Sequence, residues 1–145
     1  MFPQQTCHSC GAPGMDALIL LDQQGIPPGE DGHVITYSHL AAAVCPVCGH
    51  GQVESLDHDC FDYEDVWDWY EWYVLSPADT SQLRALVAAC PHPLVAGCDC
   101  PVHSALRDTC RSLPHTAWHT SLQAEEHVHR VTLTVQDGRP KINKV

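Results

Sequence analysis

The chain has 145 residues, 44% of them hydrophobic and 17% charged, which fits one ordinary domain or a small module fused to a larger unit. No apolar run approaches the ~18 residues of a membrane-spanning helix, so we expect no membrane partner. The net charge is −11, and residues 1–83 contain no Lys or Arg, so we predict no nucleic-acid partner because binding to phosphates needs basic side chains.

The start of the chain and its cysteine content both indicate a compartment. Residues 1–5 have neither the basic start nor the apolar stretch of a signal peptide. The number of cysteines, 9, is odd, and several stand at metal-ligand spacing, which favours a reducing compartment over a disulfide scaffold. We therefore expect a cytoplasmic protein.

Two cysteine motifs organise the N-terminal third of the chain. They are Cys7-His8-Ser9-Cys10-Gly11 and Cys45-Pro46-Val47-Cys48-Gly49. In each motif two thiolates are separated by two residues, and a glycine follows that lets the backbone turn beneath a metal. This spacing predicts a Zn²⁺ site whose ligands are Cys7, Cys10, Cys45 and Cys48. Four cysteine ligands leave no open position, so we expect this zinc to be structural.

The spacing of the two motifs resembles that of a zinc ribbon. The stretch between them, residues 11–44, is long enough for a strand over residues 17–21, a loop over 23–32 and a return strand over 33–37. Residues 7–49 are also similar to the N-terminal zinc domains of some bacterial antitoxins. Those proteins continue with a basic helix-turn-helix, whereas this chain continues with an acidic, Trp-rich segment. The resemblance implies a metal-stabilised module and does not imply a function.

Residues 57–75 combine many acids with aromatic side chains. Val66–Leu75 is rich in β-branched and aromatic residues and predicts a strand with aromatic residues on both faces. One interpretation is a strand buried on both sides. The other is an acidic, aromatic surface that binds a basic protein. The residues of that surface would be Trp67, Trp69, Trp72, Asp62, Glu64, Asp65 and Asp68.

Two helices are predicted after this strand. Ser76 is a typical N-cap and Pro77 a typical first residue, so a helix is expected over residues 77–89. Pro101 similarly begins a helix over residues 101–112, whose inner face would include a buried Cys110.

A second metal site is predicted where the second helix begins. Cys98 and Cys100 precede the helix, and His103 lies in its first turn, so the three side chains can converge on one metal. The fourth ligand would come from Cys90 or His92, from His58 or Cys60, or from water; our predicted set includes Cys90. The alternative is a cysteine-rich loop without a metal.

The end of the chain predicts a β-hairpin. Asp137 and Gly138 form its tight turn, and Ile142 would pair with Leu133. Together these elements predict an α+β fold, in which an N-terminal zinc ribbon packs on a small antiparallel sheet with two helices and a C-terminal β-hairpin. The zinc-ribbon module would span residues 1–56 and the α+β unit residues 57–145, packed as one compact domain.

Two function hypotheses follow from these features. The first is a non-enzymatic, zinc-stabilised acidic protein that binds a basic protein partner in an inhibitory, immunity-like or adaptor role. The acidic first half and the absence of a phosphate loop, a His-Glu-x-x-His motif and a nucleophile elbow favour it. The alternative is a zinc-dependent hydrolase, with water in the fourth position of the Cys98, Cys100 and His103 site and Glu71 or Asp99 as base.

Overall fold

The computed structural model describes residues 5–25, 36–60, 66–114 and 125–145. Within these ranges the elements are β1 (Asp16–Gly25), β2 (Thr36–Val44), β3 (Gly51–Cys60), β4 (Val66–Leu75), α1 (Pro77–Val87), α2 (Pro101–Arg111), β5 (Glu125–Gln136) and β6 (Arg139–Lys144). Neither helix in the described part of the chain is long and apolar enough to cross a membrane.

All six strands belong to one mixed sheet, in which they lie side by side in chain order. Strands β1 to β4 pair antiparallel, as do β5 and β6, whereas β4 and β5 run parallel. The parallel pair follows from the helices: the chain passes through α1 and α2 between β4 and β5, and such a crossover returns it in the same direction. The sheet curves into a half-barrel.

The predicted layout of the fold is wrong, although the mixture of strands and helices is as expected. The sequence predicts an N-terminal zinc ribbon that packs on a small antiparallel sheet with two helices and a C-terminal hairpin. Instead, β1 and β2 are the first two strands of the large sheet, and β5 and β6 are its last two. The reason is hydrogen bonding, because β2 pairs along its whole length with β3 and β5 pairs with β4.

The hydrophobic core lies between one face of the sheet and the two helices. Alternate strand residues point into this core, as the two-residue period of a strand requires. The buried strand residues are Ile19, Leu21, Leu40, Ala42, Val53, Tyr73, Leu75, Val131, Leu133 and Ile142. They pack with Leu83 and Val87 of α1 and with Leu106 and Cys110 of α2. The prediction that Cys110 is a core residue is confirmed.

Several predicted elements are confirmed. Strand β4 has the predicted bounds, and Leu133 pairs with Ile142 in the hairpin. The Ser76 side chain caps α1 by accepting from the Asp79 N–H at 3.1 Å. Of the predicted return strand over residues 33–37, residues 33–35 lie outside the described residues. The strand observed there, β2, starts at Thr36 and continues to Val44.

Candidate metal centres

The first cluster of metal-ligating side chains is built from two similar turns. In each, the glycine after the second cysteine donates its N–H to the carbonyl of the first, from Gly11 to Cys7 at 2.8 Å and from Gly49 to Cys45 at 3.0 Å. Both glycines have positive φ, 80° and 78°, a conformation that other residues rarely adopt. The turns therefore need glycine at these positions, and each directs two sulfur atoms to the same side.

The four sulfur atoms of the first cluster form a set that can hold a metal ion. All of them lie within 4.8 Å of one another. Cys7 Sγ is 3.5 Å from Cys48 Sγ, and Cys10 Sγ is 3.6 Å from Cys45 Sγ. Sulfur atoms around a tetrahedral metal with bonds of about 2.3 Å would be roughly 3.8 Å apart, so the spacing fits such a metal.

The electrostatics of the first cluster also favour a cation. The backbone N–H groups of Cys48 and Val47 stabilise the Cys45 thiolate and lower the pKa of Cys45 to about 6. The His50 N–H lowers the pKa of Cys48, but burial and the three neighbouring sulfurs outweigh it and raise that pKa to about 12. Cys45 thus forms a thiolate readily, while a second negative charge on Cys48 is favoured only when a cation offsets the repulsion between the sulfurs.

The first cluster is tied to the sheet by a buried amide. Gln52 of β3, 1% exposed, accepts from the His8 N–H at 3.0 Å. Its own amide group donates to Gln5 Oε1 and to the Thr6 carbonyl, each at 3.0 Å. The His8 ring also lies 4.0 Å, centroid to centroid, from the ring of Trp72. These contacts hold the first turn against the face of the sheet opposite the helices.

The second cluster lies where the two helices meet. Cys90 follows the end of α1, Cys98 and Cys100 stand in the connecting loop, and His103 is in the first turn of α2. The loop places Cys90 Sγ 3.7 Å from Cys98 Sγ and 3.5 Å from His103 Nδ1. Cys90, Cys98 and His103 offer ligand atoms within 4.8 Å of one another, so this group too can hold a metal ion.

Cys100 lies beside the second cluster. Its sulfur caps α2 by accepting from the His103 N–H at 3.3 Å. Burial raises the pKa of Cys100, but the His103 N–H and the thiols of Cys90 and Cys98 stabilise its thiolate, so the pKa falls below its usual value. The Cys100 sulfur is not among the ligand atoms that lie within 4.8 Å of one another, but its position next to them makes it the candidate for a fourth ligand.

His103 is held in the neutral form that binds metals. It is fully buried, and burial, followed by the charge of Arg107, lowers the pKa of its imidazole. Its Nδ1 faces Cys90, and its buried Nε2 makes no hydrogen bond of good geometry to any described residue. Coordination through Nδ1 leaves the proton on Nε2, beside the backbone carbonyls of Leu20 and Leu21 that raise the same pKa.

The side chains predicted to bind a partner are divided between the interior and the surface. Trp69 and Trp72 are 4% and 6% exposed, so the indoles face the interior. The side chain of Asp68 is partly exposed and pairs with His58. The side chain of Trp67 lies outside the described residues, as do Asp62, Glu64 and Asp65.

The carboxylates considered as catalytic bases do not belong to the metal clusters. Glu71 is fully buried on β4, where it lies 2.5 Å from His129 Nε2 and accepts from the indole of Trp69 at 3.3 Å. Asp99 lies between two of the cysteines but is in neither group of converging ligands. Gln52, which ties the first turn to the sheet, has no sequence signal that marks it.

Comparison with known proteins finds no matching family model, no similar curated protein and no similar solved structure. The converging sulfurs are consistent with a zinc ribbon, whereas no relative supports the resemblance to antitoxin zinc domains.

Proposed function

We propose that this is a non-catalytic protein, stabilised by two zinc ions, that binds a basic protein in an inhibitory, immunity-like or adaptor role. The observation that carries the proposal is the grouping of acids at one end of the β3–β4 hairpin. Asp57 and Asp59 stand near the end of β3, and Asp68 near the start of β4. Cys60 and Val66 pair with each other at this end of the hairpin. The sequence between them adds Asp62, Glu64 and Asp65.

The charge distribution supports a basic partner. Residues 1–83 have a formal charge of −13, whereas residues 84–145 have +2. Glu54 and Glu71 are buried and paired with histidines, so they belong to the interior. The acids at the hairpin end are at least partly exposed at Asp57, Asp59 and Asp68. A concentrated negative patch attracts a positively charged partner and speeds its association at low salt.

Zinc is the metal that best suits both clusters. Cysteine sulfur with or without histidine nitrogen, in sets of four, is the usual donor set of structural zinc. The first cluster offers four cysteines, and the second offers Cys90, Cys98, His103 and the adjacent Cys100. Two filled sites of this kind would stabilise the fold without an open position for water.

The same donor set disfavours the hydrolase alternative. A catalytic zinc keeps an open position and has an acid nearby to activate water. Here Cys90 joins Cys98 and His103 as a third protein ligand, Cys100 would complete the set, and neither cluster of described residues includes a carboxylate. Glu71 is engaged with His129 and Trp69.

The proposal is tested by capturing partners of the full-length protein from its native host at low and high salt. We expect a stoichiometric basic protein that is retained at low salt and associates more slowly as salt rises, because screening weakens steering. Identification by mass spectrometry is followed by kinetic measurement with the purified partner. Failure to recover any stoichiometric basic protein at low salt would contradict the proposal.

Charge-neutral variants then locate the binding surface. The triple change Asp57→Asn, Asp59→Asn and Asp68→Asn should slow association by about tenfold. The matched control is Asp99→Asn, Asp108→Asn and Asp137→Asn, which makes the same charge change at exposed positions of the second half. Equal association rates for the two triple variants would show that the hairpin end is not the binding surface.

A further inference from the structure

The second metal cluster lies against β1, which is an outer strand of the sheet in the described part of the chain. β1 is an outer strand, and its register with β2 shifts between Ala17 and Ile19 and between Leu20 and Asp22. Such bulges leave backbone groups that the neighbouring strand does not pair. Because an open edge can pair with another chain, proteins usually cover it.

The contacts that cover this edge come from the loop and helix that carry the metal ligands. The Leu20 N–H donates to the Pro93 carbonyl at 2.8 Å. Arg107 Nε donates to the Leu21 carbonyl at 2.7 Å. The same guanidinium uses Nη2 to donate to the carbonyls of Ala96 and Cys98, at 2.8 and 2.9 Å. One side chain of α2 therefore bonds both β1 and the metal-binding loop.

We propose that Arg107 couples the second metal centre to β1. When metal binds, the loop of residues 91–100 is held against the edge of the sheet, an arrangement that we call the clasp. The inference rests on the proposed zinc at that centre. Arg107 is a positioning residue, since it bonds backbone carbonyls and fixes the part of the loop from which Cys98 projects. Coupling of this kind is reciprocal: the clasp raises metal affinity, and the metal protects the edge strand.

Zinc affinity tests one direction of the coupling. The full-length protein is loaded with zinc and titrated with a chromophoric chelator. Arg107→Gln should weaken zinc binding at the second centre by about 10- to 100-fold, as loss of an outer-shell partner does. Arg107→Lys should behave almost as poorly, because an ammonium keeps the charge but cannot make the bonds of the planar guanidinium. Zinc at the first centre should be unchanged in both variants.

The matched control is Arg111→Gln. Arg111 is on the same helix, and its guanidinium lies 2.5 Å from the Asp22 carboxylate of β1. Arg111→Gln removes the same positive charge as Arg107→Gln. The hydrogen bond from Arg111 to Asp22 does not involve the metal-binding loop, so this substitution should leave zinc affinity near that of the unmodified chain.

Hydrogen exchange at the Leu20 amide tests the other direction. Cys98→Ser, which removes a metal ligand, should make this amide exchange faster while central-strand amides such as that of Tyr73 stay protected. In the Cys98→Ser background, Arg107→Gln should add little further loss, because the clasp is already open. A purely structural Arg107 would lower protection equally in both backgrounds, and that result would overturn the coupling.

The metal count separates two kinds of failure. If the unmodified chain holds only one zinc, the second centre fails and the coupling fails with it, whatever Arg107 does. If the chain holds two zinc ions but Arg107→Gln loses zinc no more easily than Arg111→Gln, the centre stands and the coupling is wrong.

Discussion

Two buried glutamates, Glu71 of β4 and Glu54 of β3, each accept a hydrogen bond from a tryptophan of β4. Glu71 lies 2.5 Å from His129 Nε2 and accepts from the Trp69 indole at 3.3 Å. Glu54 of β3 lies 2.7 Å from His39 Nε2 and accepts from the Trp72 indole at 2.8 Å. Because a buried carboxylate is costly unless it is paired and hydrogen-bonded, each acid needs these donors. Composition shows the acids and indoles, but only the fold shows that they face each other.

The pH dependence of stability is a prediction at the scale of a single residue. Burial, followed by the charge of Glu71, raises the pKa of Tyr73 well above its usual value. The folded protein therefore keeps this proton at a pH where the unfolded chain loses it. The resulting stability is complete below pH ~10 and falls as pH rises beyond it.

The change Tyr73→Phe tests this pH dependence. It removes the titration together with the hydrogen bond to the Pro114 carbonyl, 2.9 Å long, which should cost about 1 kcal/mol at neutral pH. Chemical denaturation at several pH values should show the stability gap between the two proteins narrowing above pH ~10. A difference in stability that stays constant with pH would show that the titration of Tyr73 does not cause this pH dependence.

Elements specified by local sequence signals could be predicted, and elements specified by distant partners could not. The N-cap Ser76 and the prolines that begin the helices, Pro77 and Pro101, locate α1 and α2, and the aromatic run of Val66–Leu75 locates β4. β3 has no such signal, because Gln52 and Glu54 are polar residues on a buried face. Its partners, and the parallel pairing of β4 with β5, depend on residues far away in the chain. The predicted layout, a ribbon packed on a small antiparallel sheet, is wrong for this reason.

The attachment of the first cysteine turn to β3 can be tested by a single substitution. Gln52→Ala removes the side chain that bonds Gln5, Thr6 and His8, and it leaves buried polar groups without partners. We expect a loss of about 1–3 kcal/mol in the free energy of unfolding, and faster release of metal from the first cluster. Denaturation and chelator competition measure the two effects.

The control for Gln52→Ala is Gln24→Ala, the same change at an exposed position of β1. It should alter neither stability nor metal release appreciably, since exposed substitutions usually change stability by about 0.5 kcal/mol or less. If the two variants showed the same free energy of unfolding and the same rate of metal release, Gln52 would not anchor the turn.

The two metal clusters join different parts of the whole molecule. The first links the N-terminal turn to the β2–β3 connection, and the second links the end of α1 to the start of α2 beside β1. Cysteine spacing alone predicts the first cluster, because each turn is a local motif. The second was predictable only in part, since the approach of Cys90 to Cys98 and His103 depends on how the chain folds back after α1.

The presence of two structural zinc ions can be tested by native mass spectrometry of the intact chain, which counts the bound metal. We expect two zinc ions per chain, falling to one in Cys98→Ser and in Cys100→Ser. Cys110→Ser is the matched control; because Cys110 is buried in the core between the sheet and α2, its count should stay at two. If the chain holds a single zinc and keeps it in both Cys98→Ser and Cys100→Ser, the second centre does not exist. A chain without zinc would contradict both proposed centres.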